Sequence, residues 1–551
     1  VSVREGLQAE RDAPRGGVRP ALAIRDLTVS MPAGGDRERA VDGVALDVAR
    51  GEIVCLVGES GSGKSVIALA AMGLLPPALR VVAGAIDVDG EPIVGTAESR
   101  LAALRGARMA MVFQEPATAL DPLMRCGAQV EEVLRAHTRD DAPARRRRAL
   151  AALADAGIGD PARIHAAWPH EISGGERQRV MIAMAQVLAP ALLIADEPTS
   201  ALDVTTQAQI LGLVRRLARE RDAGVLFITH DLAVVADIAD RVVVLARGRV
   251  VERGARERVL LEPQHAATRA LLDAVPALDP PPRAATAGLP IVVARGVSKT
   301  WPPRMAASRR APVVACADVD LELRRGESLG LVGESGSGKT TVARAIARLI
   351  EPSAGTIDLD GVDIARLSPA ALRPLRRKLQ VVFQDPYRSL DPRRRVGESI
   401  IEGPLNYGAS RAGAMARARE LMTLVRLPEH ALTRFPHEFS GGQRQRLCIA
   451  RALALEPEVL IADEPVSALD VSVQARVLAL LADIRERMQL AMLFITHDLR
   501  VAAQVCDRIA VMHEGRIVET GETRAVFAHP AHPWTRAMFA ALPGRGLDRR
   551  A

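Results

Sequence analysis

The stretch "LVGESGSGKS", residues 56–65, follows the apolar run "IVCLV" and leads into the helical pattern "SVIALAAMGLL". Strand, glycine-rich loop and helix in that order form the context in which G-x-x-x-x-G-K-[ST] grips phosphate. The glycines let backbone N–H groups wrap the phosphates, and the helix N-terminus adds favourable partial charge. Gly58, Glu59, Ser60, Gly61, Ser62, Gly63, Lys64 and Ser65 therefore make a candidate nucleotide-phosphate cradle. In it Lys64 pairs with the outer phosphates and the Ser65 hydroxyl coordinates Mg2+.

The loop returns as "LVGESGSGKT" at 331–340, with Lys339 lying 275 residues after Lys64. The same roles fall to Gly333, Glu334, Ser335, Gly336, Ser337, Gly338, Lys339 and Thr340. The repeat extends well beyond the loop, which is what two copies of one domain predict. "MVFQEPATALDP" (111–122) matches "VVFQDPYRSLDP" (381–392), and "PHEISGGERQR" (169–179) matches "PHEFSGGQRQR" (436–446). "LLIADEPTSALDV" (192–204) matches "VLIADEPVSALDV" (459–471), and "LFITHDL" occurs at 226–232 and 493–499. The offset shrinks from 275 at the lysines to 270 at Gln114 and Gln384 and 267 at Asp196 and Asp463, slippage that belongs to surface loops. Between the halves, "PALDPPPRAATAGLP" (276–290) reads as a short, semi-stiff linker. The reading gives two domains, 1–285 and 286–551. Each alternates β-type runs with helical stretches, as an α/β core with a buried, mostly parallel sheet does.

Asp196 and Asp463 end apolar runs, where an aspartate leaving a buried strand faces the Mg2+ shell. Glu197 and Glu464 follow directly, placed to orient or deprotonate water attacking the γ-phosphate. "SGG" at 173–175 and 440–442 opens a helical segment with an N-capping serine, and its glycines cost helix stability unless something approaches that backbone closely.

Bulk properties narrow the class. Hydrophobic residues make up 48% and charged residues 25% of the 551, ordinary for a soluble globular protein. The uncharged run "VMIAMAQVLAPALLIA" (180–195) is too short and interrupted to span a bilayer, and the first twenty residues hold no apolar secretory core, so a cytosolic setting is expected. Five cysteines without C-x-x-C spacing indicate neither a disulfide framework nor a zinc cage. The net charge of +7 comes from dispersed arginines, and "RRRR" at 145–148 reads as a solvated helix face, so nucleic acid is not expected as a partner.

The set and order of these motifs resemble the nucleotide-binding domains of ATP-binding-cassette proteins, twice over and across nearly the entire chain. The resemblance implies two P-loop NTPase domains, each with a RecA-like core and a helical subdomain spanning roughly 117–168 and 387–435. It implies head-to-tail pairing, each ATP held between one P-loop and the other half's helix start, at Ser173, Gly174 and Gly175 or at Ser440, Gly441 and Gly442. It assigns Gln114 and Gln384 to the metal site and its link to the transport partner. His230 and His497 would bond the γ-phosphate, and Asp203 and Asp470 would couple the sites.

"FQEPATALDP", "FQDPYRSLDP" and the ending "HPAHPWTRAMFAALP" (529–543), with its worn copy "PQHAATRALLDAVP" (263–276), resemble the dipeptide and oligopeptide importer subgroup. The implied function is ATP hydrolysis at the cytoplasmic face of the membrane, driving two separate permease subunits served by an extracytoplasmic binding protein. Glutathione and nickel are alternative cargoes, and a soluble twin-cassette protein acting on ribosomes or DNA is a rival. ATP and Mg2+ are the implied cofactors. The cysteine-rich extension that carries an iron–sulfur cluster in some members is missing, so no cluster is expected. Where the family stacks adenine on an aromatic residue, the second half has Trp301 and the first has Met31. His529 and His532 lack the further ligands a metal site needs.

Overall fold

The computed structural model describes residues 19–32, 37–200, 202–283, 288–302, 312–467 and 469–544. The N-terminal stretch read for a secretory signal, apart from residues 19 and 20, and residues 284–287 of the linker lie outside them. The chain divides into two compact units, Val1–Ser200 with Gln209–Arg269, and Ala270–Ala551 with Ala201–Ala208.

In the first unit, Ile53–Val57, Leu192–Asp196 and Gly224–Ile228 are buried at every residue, so neither face of the sheet meets water. Near-continuous apolar runs of this kind suit a parallel sheet covered on both sides. The six-stranded sheet runs in the order Arg249–Ala255, Arg241–Ala246, Ile53–Val57, Gly224–Ile228, Leu192–Asp196, Met109–Val112. All neighbours pair in parallel except the first two, which form an antiparallel edge. The second unit repeats this order from Leu379–Val382 through Val459–Asp463, Ala491–Thr496, Ser328–Gly333 and Arg508–His513 to Arg516–Glu522.

Each unit also holds a four-stranded antiparallel sheet, which the α/β reading did not contain. In the first unit it is Arg39–Val48, Leu22–Ser30, Arg80–Val88 and Glu91–Pro92. Its inward residues Leu22, Ile24, Leu27, Val44, Leu46 and Ile86 share one core with Leu56, Leu226 and Ile228 of the parallel sheet. Each such side chain, once buried, stabilises by roughly 1.5–3 kcal/mol. The phosphate-loop helix Lys64–Ala71 contributes Ile67, Ala68 and Ala71 to the same core, which fixes the loop relative to both sheets.

The expected helical subdomain is present in each unit. In the first it comprises Cys126–His137, Ala142–Asp155 and Pro161–Ala166, and in the second Val396–Asn406 and Arg411–Leu424. The arginine run 145–148 lies on Ala142–Asp155, which Asp141 caps by accepting from Ala144 N at 2.8 Å. Arg146 and Arg147 face solvent and Arg148 pairs with Asp140 at 2.7 Å, so the run is a solvated helix face. All five cysteines are buried, and burial pushes the Cys448 thiol up to about 11. No helix among the described residues is long and apolar enough to cross a membrane.

Residues 276–283 pack on the second unit. Gln504 Nε2 donates to the carbonyls of Ala277 and Asp279 at 2.8 and 3.1 Å, and Arg283 pairs with Asp507 at 3.3 Å.

Candidate nucleotide site

In each unit the glycine-rich loop connects the most central strand to a helix whose N-cap is a glycine in a left-handed conformation, Gly63 at φ 108° and Gly338 at φ 102°. A Cβ there would lie 2.7 Å from the Ala40 carbonyl or 2.4 Å from that of Ala315. Sterics and dihedral together therefore require glycine before the lysine. Lys64 is 6% exposed, and its Nζ donates to the carbonyls of Gly58 at 2.7 Å and Glu59 at 3.0 Å. Lys339 is bound in the same way by Gly333 at 2.8 Å and Glu334 at 2.6 Å. The loop thus encircles its own ammonium group. Inside it the hydroxyls of Ser62 and Ser337 are buried without a hydrogen-bond partner.

Asp196 and Asp463 stand at the ends of their strands, 6% and 3% exposed. Burial pushes both carboxyls above the usual range, although a hydroxyl from Ser65 or Thr340 partly counters it. Thr340 Oγ1 donates to Asp463 Oδ1 at 3.2 Å. Asp196 Oδ1 is buried and makes no hydrogen bond. An orphaned carboxylate oxygen beside a hydroxyl and a buried lysine is the donor set a hard, oxygen-seeking divalent cation takes. The residues therefore fit Mg2+.

The next residue in each half carries a strain that the sequence did not reveal. Glu197 and Glu464 adopt φ 46° and 47°, a left-handed conformation costly outside glycine and concentrated at functional sites. The turn aims each carboxylate between an amide and an imidazole. Gln114 Nε2 donates to Glu197 at 2.9 Å and His230 Nδ1 lies 3.0 Å from its other oxygen. Gln384 Nε2 donates to Glu464 at 2.8 Å, with His497 Nδ1 at 3.4 Å. Burial is the largest single influence and works to raise the pKa of both glutamates, yet the histidine, lysine and glutamine around each together hold the carboxyl low. Burial likewise works to lower the pKa of His497, and Glu464 together with Asp498 carries it upward. Each half therefore brings its lysine loop, aspartate, glutamate, glutamine and histidine into one cluster in which the glutamate carboxyl is held low, an arrangement with the chemistry to hold a triphosphate and accept a proton from water.

The "SGG" serines cap helices Gly174–Gln186 and Gly441–Leu453 through capping boxes with Glu176 and Gln443. The glycines differ in surroundings. A Cβ at Gly442 would lie 2.2 Å from Val473 of the same half, so a neighbouring helix accounts for the close approach there. At Gly174 nothing lies within 4 Å of such an atom. Trp301 is 42% exposed with Lys299 Nζ 4.5 Å from its ring centroid, whereas Met31 packs against the core. Only the second half thus presents an exposed ring at this place.

The tail motif proves to be a docking device. His265 Nδ1 accepts from Ala267 N at 3.1 Å and His532 Nδ1 from Trp534 N at 3.2 Å, so each histidine caps the helix that follows. Among the described residues no group of three or more His, Cys, Asp or Glu side chains is placed to hold a metal ion. Glu252 accepts from Gln264 N at 2.8 Å, from His265 N at 3.0 Å and from the Thr268 hydroxyl. Glu519 likewise accepts from Ala531 N and His532 N at 2.8 and 3.0 Å. Sequence reasoning missed these two glutamates, although "GRVVE" and "GRIVE" occupy equivalent places in the repeat. Glu252→Ala leaves three donors around a buried site unpaired and is expected to cost about 2–3 kcal/mol, loss of a charged acceptor being the dominant effect. Thermal unfolding with limited proteolysis near residue 265 checks this; an unchanged midpoint would show the tail to be held by other contacts.

Comparison with known proteins agrees with this geometry. Residues 41–200 and 316–467 match the ABC transporter family, and residues 251–294 and 518–550 match the oligopeptide/dipeptide transporter C-terminal region. The chain is 47% identical over 95% of its length, and 96% of the relative's, to the peptidoglycan transport ATP-binding protein YejF of Agrobacterium fabrum. It is 46% identical over 95% of its length, and 89% of the relative's, to the glutathione import ATP-binding protein GsiA of Escherichia coli strain K12. With two cassettes, two tails and relatives this close over almost its full length, the chain belongs to the ABC transporter family as a tandem ATPase of transport.

Proposed function

We propose that this chain powers the import of short peptides through separate membrane permeases, with an extracytoplasmic protein delivering the cargo. The observation that carries the reading is the presence together, in each half, of a hydrolytic cluster and an oligopeptide-transporter tail. Relatives named for peptidoglycan and glutathione share peptide-containing cargo, and this favours a small peptide over nickel. The chain acts peripherally at the cytoplasmic face of the membrane, and the helical segments 126–166 and 396–424 offer the permease-docking surface.

ATP would lie on each phosphate loop, and Mg2+ would be held by Ser65 and Asp196 in one half and Thr340 and Asp463 in the other, with Gln114 and Gln384 beside it. The ion would neutralise phosphate charge as the γ-phosphate departs. Glu197 or Glu464 orients water and takes its proton, His230 or His497 holds that carboxylate ionised, and the buried lysine grips the outer phosphates. The halves pair head to tail, so that Ser440 closes the nucleotide on Lys64 and Ser173 the one on Lys339.

Uptake of labelled dipeptides, longer peptides and glutathione in a deletion strain, complemented by the intact chain or by Glu464→Gln, tests the proposal. Peptide uptake should vanish on deletion and return only with the intact chain. Unchanged peptide uptake, or recovery of the protein with ribosomes instead of membrane permeases, would overturn it.

A further inference from the structure

The two helix-capping serines differ in where the hydroxyl proton goes. Ser173 Oγ donates to Glu176 Oε2 at 3.1 Å, the same oxygen accepts Ser173 N at 2.9 Å, and Glu176 N returns to the hydroxyl at 3.2 Å. The Ser173 hydroxyl therefore spends its proton within its own capping box. In the second half Ser440 N donates to Gln443 Oε1 at 3.0 Å and Gln443 N to the Ser440 hydroxyl at 3.4 Å. Among the described residues the Ser440 hydroxyl donates to nothing, and its proton is available to an arriving acceptor.

The cause is one side chain. Glu176 presents a carboxylate where Gln443 presents a neutral amide. Arg163 binds the Glu176 carboxylate, and at the corresponding place in the repeat stands His430. A hydrogen bond to a carboxylate is about twice as strong as a neutral one. A phosphate that takes the Ser173 proton must break such a bond and then sit beside a second anion. At Ser440 neither obstacle exists.

We propose that Glu176 is a positioning residue that withholds the Ser173 hydroxyl from the γ-phosphate, so that the nucleotide closed by Ser173 is discriminated from its diphosphate less sharply than the one closed by Ser440. Which nucleotide each serine closes rests on the head-to-tail reading above. On that reading the Lys339 site combines an exposed Trp301 with a weak γ-phosphate grip. The Lys64 site combines Met31 with a strong one. The first holds ATP and ADP more nearly alike; the second is emptied more completely by hydrolysis.

The experiment measures ATP-over-ADP preference at each half of the full chain assembled with its permeases, by photolabelling with azido-adenine nucleotides and assigning labelled peptides to residues 1–285 or 286–551. Glu176→Gln keeps the capping box that Gln443 already demonstrates. It should raise the preference on the Lys339 half about three- to tenfold, the ratio that one hydrogen bond of ordinary net worth produces, while ADP labelling and thermal midpoint stay unchanged. Gln443→Glu should lower the preference on the Lys64 half by a similar factor. If neither substitution alters the preference on either half, the role of Glu176 is overturned. If each alters it on its own half, the role of Glu176 stands and the head-to-tail assignment falls.

Discussion

Replacing Glu197 or Glu464 with glutamine is expected to slow hydrolysis at that half by about 10²- to 10⁴-fold, the usual contribution of a positioned base, while ATP still binds. The two carboxylates are held low against the effect of burial, since the histidine, lysine and glutamine around each together outweigh it. An amide of the same shape still meets Gln114 or Gln384 and the histidine, but it takes no proton from water. The left-handed backbone at φ 46° and 47° is unaffected by the exchange, so the fold should not change. Single-turnover phosphate release, read beside equilibrium ATP binding, separates the two steps. A loss below threefold in both variants would remove these glutamates from the chemistry.

Lys64→Ala and Lys339→Ala are expected to act on binding instead. Each lysine is almost wholly buried, and its ammonium is bonded to two loop carbonyls. Burial holds the Lys339 pKa below the usual lysine value, although nearby carboxylates raise it in part. Phosphate oxygens would add charged acceptors to an ammonium whose two loop contacts are neutral carbonyls. Hydrogen bonds to charged groups are worth about 1.5–3 kcal/mol, so the loss of one or two predicts a fall in ATP affinity of at least about tenfold to a hundredfold. The truncation also frees the carbonyls of Gly58 and Glu59, or of Gly333 and Glu334, and loosens the loop. Calorimetric titration with ATP under conditions that block hydrolysis checks the magnitude. Unaltered affinity in both variants would show that the loop does not grip the nucleotide.

Motif chemistry was the legible part of the site because residue type and spacing encode it directly. The parallel sheet was legible for the same reason: "IVCLV", "LLIAD" and "GVLFI" are apolar throughout, as strands buried on both faces must be. The antiparallel sheet was not. Its strands, such as Leu22–Ser30 and Arg80–Val88, are half-exposed and interrupted by bulges, which breaks the alternation on which sequence reading depends. The tail was recognised as a motif, but its physical meaning, a capping histidine and a glutamate that collects backbone donors, appeared only when Glu252 and His265 were brought together across 13 residues and the helix Arg256–Leu261.

By itself the sequence determined that there are two ABC-type halves with importer-type tails, and it singled out the loop, aspartate, glutamate, glutamine and histidine that each half brings together. These are properties of residue identity and order. Tertiary structure alone decided that Glu197 and Glu464 sit in a left-handed turn between an amide and an imidazole. It also decided that Asp196 keeps an unpaired buried oxygen, and that Ser173 gives its proton to Glu176 whereas Ser440 keeps its own. The reason is physical: hydrogen bonding and desolvation depend on ångström distances between groups far apart in the chain, and no local pattern of residues records them.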